Sequence, residues 1–149
     1  MPIGEICNRA VIFVKKDTNL LEVAQLMRQN HVGDLVIVDE KNGRRVPVGI
    51  VTDRDIVIEV IAKELDINAL TAGDVMGPGL ATARETEGVF ETIQLMRLKG
   101  VRRMPIIDAH GGLAGIISID DLIELLAEEM NELAKLISRE QVRETKTRK

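Results

Sequence analysis

Aromatic side chains are almost missing from this 149-residue chain, which has two Phe, no Tyr and no Trp. A site that grips bases by stacking them on rings cannot be built from so few, and this weighs against single-stranded nucleic acid as a ligand. Cysteine is scarcer still. Cys7 stands alone, so neither an intramolecular disulfide nor a cysteine-based zinc site can form within the chain. His31 and His110 have no Cys or His at metal-ligand spacing and read as surface residues, so no metal is expected. Basic charge is not in excess either: 20 Lys and Arg against 24 Asp and Glu leave a net charge of −4, with no global field for a phosphate backbone. No apolar run approaches the ~18 residues of a membrane span. The opening Met1-Pro2-Ile3-Gly4-Glu5 lacks the basic and apolar regions of a secretory signal. A cytoplasmic protein with no membrane partner is the expectation. No phosphate loop of the Gly-x-x-x-x-Gly-Lys type and no His or Cys beside a plausible partner is present, so no catalytic residue is assigned.

What the chain does have is itself, twice. Gln25-Leu26-Met27-Arg28 returns as Gln94-Leu95-Met96-Arg97, an offset of 69. At the same offset Gly4-Glu5-Ile6 meets Gly73-Asp74-Val75, Val32 meets Val101 and Asp39 meets Asp108. After a shortened hairpin the offset becomes 66, where Gly49-Ile50-Val51-Thr52 meets Gly115-Ile116-Ile117-Ser118 and Asp55 meets Asp121. Two copies are too few for a solenoid, so they are expected to face one another and bury a shared interface.

Each copy has the same pattern of elements. A short apolar strand (Val11–Val14, weaker at Leu80–Ala83) leads to a helix start at Asp17-Thr18 or Glu85-Thr86. The helix carries Leu21, Ala24, Leu26 and Met27, or Phe90, Ile93, Leu95 and Met96, close to the i, i+3, i+4 spacing of an amphipathic helix. A continuous apolar strand follows, Leu35–Val38 or Met104–Ile107. The turn signals Asn42-Gly43 and Gly111-Gly112 and a return strand come next. A second helix then starts at Thr52 or Ser118. The unit is β-α-β-β-α, an α/β (α+β) arrangement. Residues 1–64 form the first repeat, 65–71 a connector and 72–127 the second repeat. Residues 128–149 form a helical extension, because Ile123, Leu126, Met130, Leu133 and Ile137 keep a 3-4-3-4 spacing. Beyond Ser138 the charged sequence is expected to fray.

Chemistry concentrates at two equivalent segments, Gly49–Asp55 and Gly115–Asp121. In both, Gly opens a buried strand, a hydroxyl residue ends it and a carboxylate lies three residues on. One reading is structural: Thr52 with Asp55, and Ser118 with Asp121, form capping boxes on the second helices. The other is functional: a helix start and a hydroxyl suit a phosphate, a carboxylate suits a ribose diol, and Gly admits a ligand close to the backbone.

The repeat order, the run Val101-Arg102-Arg103-Met104-Pro105-Ile106-Ile107-Asp108 and the two Gly-apolar-apolar-Thr/Ser-x-x-Asp segments together resemble a pair of CBS domains, named for cystathionine β-synthase. The resemblance spans roughly residues 4–127. It implies two units packed through their sheets with pseudo-two-fold symmetry and two clefts between them. It also implies regulation by AMP, ADP, ATP, S-adenosylmethionine or, less often, an NAD-type ligand, with no cofactor required. By motif match Asp55 and Asp121 would hold ribose hydroxyls, and Thr52 and Ser118 phosphate or ribose. The entry-strand backbone near Phe13 and Ala83 would line the adenine, and Arg102 and Arg103 would meet phosphates.

The copies depart from one another where Gly33-Asp34 replaces Arg102-Arg103 and Arg54 stands for Asp120. The clefts therefore differ in charge. If the arginine pair serves the cleft of its own copy, the anion-binding cleft is that of Ser118 and Asp121; a cross-copy arrangement reverses the ranking. The surplus apolar residues of the second helices imply a homodimer. The effector protein that receives the signal is unknown from sequence. Two rivals stand beside the sensor reading: a ligand-free dimerisation scaffold, and a nucleic-acid binder using Arg139, Arg143, Lys146, Arg148 and Lys149, which the acidic body counts against.

Overall fold

The computed structural model describes residues 1–148. In the first copy β1 (Phe13–Lys15) passes through α1 (Leu20–Asn30) to β2 (Asp34–Lys41), which turns into β3 (Arg44–Thr52) and then α2 (Asp53–Ile56). α2 continues as a π-helical stretch over Val57–Ile61. A 3-10 turn (Ile67–Ala69) and the single turn α3 (Ala72–Val75) cross to the second copy. There β4 (Ala83–Arg84), α4 (Val89–Lys99), β5 (Arg103–Ile107), β6 (Leu113–Ser118) and α5 (Ile119–Thr147) repeat the order. Each copy is a three-stranded sheet, β1-β2-β3 or β4-β5-β6, with one parallel and one antiparallel pairing. Strands β3 and β6 bring the two sheets side by side.

The first hairpin follows its turn residues. Asn42 and Gly43 both take positive φ (52° and 75°), the geometry that suits the twist of a tight two-residue turn. The second hairpin is shorter and closes through Asp108, whose carboxylate accepts from the backbone N–H groups of His110 and Gly112. These hydrogen bonds hold the Asp108 carboxyl below the usual carboxylate range. The long apolar strands are buried on both faces: Leu35 and Ile37 enter the first core, and Val36 and Val38 on the opposite face are equally inaccessible.

The first helix of each copy begins later than expected. α1 is capped by Asn19, whose side chain accepts from the Leu21 N–H, and α4 by Gly88. Thr18 serves the preceding turn instead, its hydroxyl accepting from the Lys15 N–H. That start sets the helix phase: Leu20, Val23 and Met27 are buried in α1, and the equivalent Val89, Thr92 and Met96 in α4. Leu21 and Phe90, expected on the apolar face, are exposed. His31 ends α1 in the left-handed conformation, as its equivalent Gly100 ends α4.

The cores are closed crosswise. The first core, around Leu20, Val23, Leu35, Ile37, Val51 and Val60, takes in Ala72 and Val75 from α3. The second, around Val89, Met104, Ile106, Ile117 and Leu122, takes in Ile3 and Cys7 from the N-terminal segment. The leader of each sequence repeat thus lids the core of the other copy. Matching hydrogen bonds fix both lids: the Gly4 N–H donates to the Glu85 carbonyl and the Gly73 N–H to the Lys16 carbonyl, each at 2.9 Å. Cys7, the lone thiol, is buried as part of the lid over the second core, and burial pushes its pKa up.

Helix α5 continues well past the second repeat, and its helical geometry persists to Thr147, beyond Ser138. Ile123, Leu126, Met130, Leu133 and Ile137 all lie exposed along it.

Candidate functional site

Both carboxylates act as caps. The Thr52 hydroxyl accepts from the Asp55 N–H at 3.0 Å, while the Asp55 Oδ2 accepts from the Thr52 N–H at 2.9 Å. Ser118 and Asp121 repeat this reciprocal pair at 3.2 and 3.0 Å. At α2 the other early N–H groups are also taken. The Asp53 N–H donates to the Gly33 carbonyl and the Arg54 N–H to the Asp53 carboxylate. A bare helix start facing a phosphate is therefore not what α2 presents. Side chains carry whatever charge recognition the site has.

Gly49 and Gly115 lie inside β3 and β6 rather than at their openings, and they also have a structural duty. A Cβ on Gly49 would lie 2.6 Å from Met76 Sδ, and one on Gly115 would lie 2.5 Å from Cys7 Sγ and 2.9 Å from the Asn8 carbonyl oxygen. Met76 and Cys7 are equivalent positions of the exchanged leaders. The space that sequence reasoning left open for a ligand is filled by the lids.

Two of the cavities between the copies, of about 440 and 220 Å³, hold the Thr/Ser-x-x-Asp segments. The larger is bordered by Thr52, Asp53, Arg54 and Asp55 of the first copy and by Leu80, Ala81, Arg102 and Arg103 of the second. The smaller is bordered by Ser118, Asp120 and Asp121 together with Ala10, Val11, Ile12, Gly33 and Asp34, with Arg103 at its edge. The arrangement is crosswise, the reverse of the own-copy assignment. Arg102 and Arg103 open onto the cleft of Thr52 and Asp55, because the end of β3 in one copy and the segment entering β5 in the other border the same cavity. The larger cleft carries three arginines and two carboxylates; the smaller carries three carboxylates and one arginine.

Arg103 borders both cavities, and its Nε donates to Asp34 Oδ2 at 3.0 Å. Burial pushes the Asp34 carboxyl above the usual range, Arg103 pulls it back down, and Asp53 pushes it up again.

Phe13 and Ala83 do not line the clefts. Ala83 lies within the second core, and the Phe13 ring sits under the Arg45 guanidinium, 4.4 Å from its centroid. Residues one to three positions earlier, Ala10–Ile12 and Leu80-Ala81, form the walls instead. The strands begin later than their apolar runs, so the segments before them stay free to border the cavities.

Among the described residues no cluster of three or more His, Cys, Asp or Glu could hold a metal ion, and no helix is long and apolar enough to cross a membrane. The basic residues Arg139, Arg143 and Lys146 lie on the exposed end of α5 with Glu140 and Glu144 between them, while Lys149 falls outside the described residues.

The family model for the CBS domain matches residues 3–62 and 72–128. The chain belongs to the CBS-domain family, as a tandem pair. An uncharacterized protein of Methanopyrus kandleri is 37% identical over 123 residues, 83% of this chain and 61% of that protein. Hypoxic response protein 1 of Mycobacterium tuberculosis is 33% identical over 124 residues, 83% of this chain and 84% of that protein. A crystal structure of Hypoxic Response Protein I with two coordinated zinc ions superposes with a TM-score of 0.71 at 32% identity, covering 83% of this chain and 98% of that one. A CBS domain pair crystallised with 5′-methylthioadenosine and S-adenosyl-L-methionine has the same fold (TM-score 0.72, 24% identity, 85% and 99% covered).

Proposed function

We propose that the chain is a non-catalytic regulatory module that binds a phosphorylated adenosyl ligand in the larger cleft. The observation that supports it is the convergence of Arg54, Arg102 and Arg103 on the cavity that also holds Thr52 and Asp55. Guanidinium groups bind phosphate oxygens through charge-assisted hydrogen bonds. Asp55 spends one oxygen on its cap and has the other for a ribose hydroxyl. AMP, ADP and ATP fit this charge pattern best. S-adenosylmethionine, which brings no phosphate, fits the smaller and more acidic cleft. The related pair crystallised with S-adenosyl-L-methionine and 5′-methylthioadenosine lends the adenosyl class its support. Calorimetry with ADP, AMP and adenosine tests the reading. The nucleotides are expected to bind at least about tenfold more tightly than adenosine, since each lost charge-assisted contact costs about 1.5–3 kcal/mol. Equal binding of adenosine, or no binding of any of the three, overturns it.

The working unit is a cytoplasmic homodimer. The exposed row along α5 supports this, with Met130, Leu133 and Ile137 each about 60–70% accessible in one chain. A helix face of that size is expected to be covered by a partner, and a second copy supplies the same face. A ligand-dependent change in the junction of the copies would reach an effector protein through α2 and α5, which start at the clefts.

A further inference from the structure

Asp34 and Arg103 hold the same place in the two repeats, 69 residues apart, at the first positions of β2 and β5. The pseudo-two-fold arrangement brings these equivalent positions together, and because the copies have diverged there, an acid meets a base. Asp34 is the more enclosed partner, 17% accessible against 33% for Arg103, so the carboxylate depends on the arginine more than the reverse. Arg103 is also the one charged side chain that borders both cavities, while Asp34 borders only the smaller.

We propose that Arg103 is shared: a phosphate in the larger cleft competes with Asp34 for its guanidinium, so that Asp34 sets the anion affinity of that cleft and couples it to the other. When the phosphate takes Arg103, Asp34 faces the smaller cleft beside Asp120 and Asp121 without its counter-charge. That cleft then favours an uncharged or cationic ligand and rejects a second phosphate. By reciprocity, a cationic ligand in the smaller cleft replaces Arg103 beside Asp34 and frees it for the phosphate, so the two ligands strengthen each other's binding. The inference rests on the proposed binding of a phosphorylated ligand in the larger cleft.

The test is a double-mutant cycle read by calorimetry with ADP and adenosine on the full chain. Asp34→Asn keeps the shape and removes the charge that holds Arg103. It is expected to tighten ADP about five- to tenfold and to leave adenosine unchanged. In an Arg103→Met background the same change is expected to give no gain, and the double variant also relieves the carboxylate that Arg103→Met alone leaves enclosed. If Asp34→Asn leaves ADP binding unchanged or weakens it, Asp34 does not compete for Arg103 and the inference falls, while the nucleotide reading stands. A gain that persists in the Arg103→Met background assigns the effect to bulk charge and overturns it as well. Failure of the parent protein to bind ADP sinks the nucleotide reading first and the inference with it.

Discussion

Asp55 and Asp121 each divide their two oxygens between a cap and a cleft. Because Asn retains one acceptor for the Thr52 or Ser118 N–H, either Asn variant is expected to melt within about 1 kcal/mol of the parent, the scale of a helix cap. Binding separates the two. Asp55→Asn is expected to weaken ADP at least about tenfold through loss of a charged acceptor, while Asp121→Asn, facing the acidic cleft, leaves ADP within about threefold. A larger loss from Asp121→Asn would place the nucleotide in the wrong cleft. The ion pair between the clefts makes a second prediction at this scale. Arg103→Met removes the one group that lowers the Asp34 pKa and leaves burial and Asp53 to raise it. Breaking a buried pair costs about 3–5 kcal/mol, and partial exposure here reduces that to about 1–2. A carboxyl whose folded pKa is raised favours the fold in its protonated form, present at low pH and lost as pH rises through that pKa. The deficit of Arg103→Met is therefore expected to be largest near neutrality and to shrink in acid, measured by thermal melts across pH. The capping boxes were readable in sequence because they act over three residues. Which arginine serves which cleft was not, because that depends on how two distant segments meet.

At the scale of elements the two second helices have diverged. α2 loses α-helical form after Ile56 and turns through Val57–Ile61 in π geometry, which keeps Ile56 and Val60 inward while Val57, Ile58 and Ile61 face out. α5 runs on for 29 residues. Its 3-4-3-4 row was plain in the sequence, since each position repeats on one side of a regular helix. The π stretch carries no such mark, because a ladder closing one residue later still draws on ordinary apolar residues. Nor was the phase of α1 and α4 legible. Apolar residues stand on adjacent positions (Leu20 and Leu21, Val89 and Phe90), so only the caps at Asn19 and Gly88 decide which of each pair turns inward. Leu133→Glu or Ile137→Glu places a charge in the α5 row without touching either core. Each is expected to convert the 33 kDa species implied by two 16.5 kDa chains to one chain's mass in light scattering, with ADP binding retained. If the parent protein already runs as one chain at micromolar concentration, the dimer is wrong.

The whole molecule is held together by its exchanged lids. Gly115→Ala sets a methyl against Cys7 Sγ and the Asn8 backbone, which cannot both withdraw, and is expected to cost about 1–3 kcal/mol in thermal or denaturant unfolding. Gly49→Ala meets only the flexible Met76 side chain and is expected to cost less; an equal or larger loss there would refute the lid account. The repeat itself was legible as an offset of 69 and then 66, and so was the β-α-β-β-α order. The exchange was invisible because Ile3 and Ala72 are equivalent positions, and their pattern fits either core equally well. Severing the backbone near Leu65 would therefore not yield two autonomous domains. One fragment would carry the lid for its counterpart and lack its own, and the other likewise, so that each half behaves as a chaperone for the other. Separately expressed, the halves should be soft and prone to pairing with themselves. Combined, they should reconstitute a native-like heterodimer, a split protein whose recovery is switched by mixing.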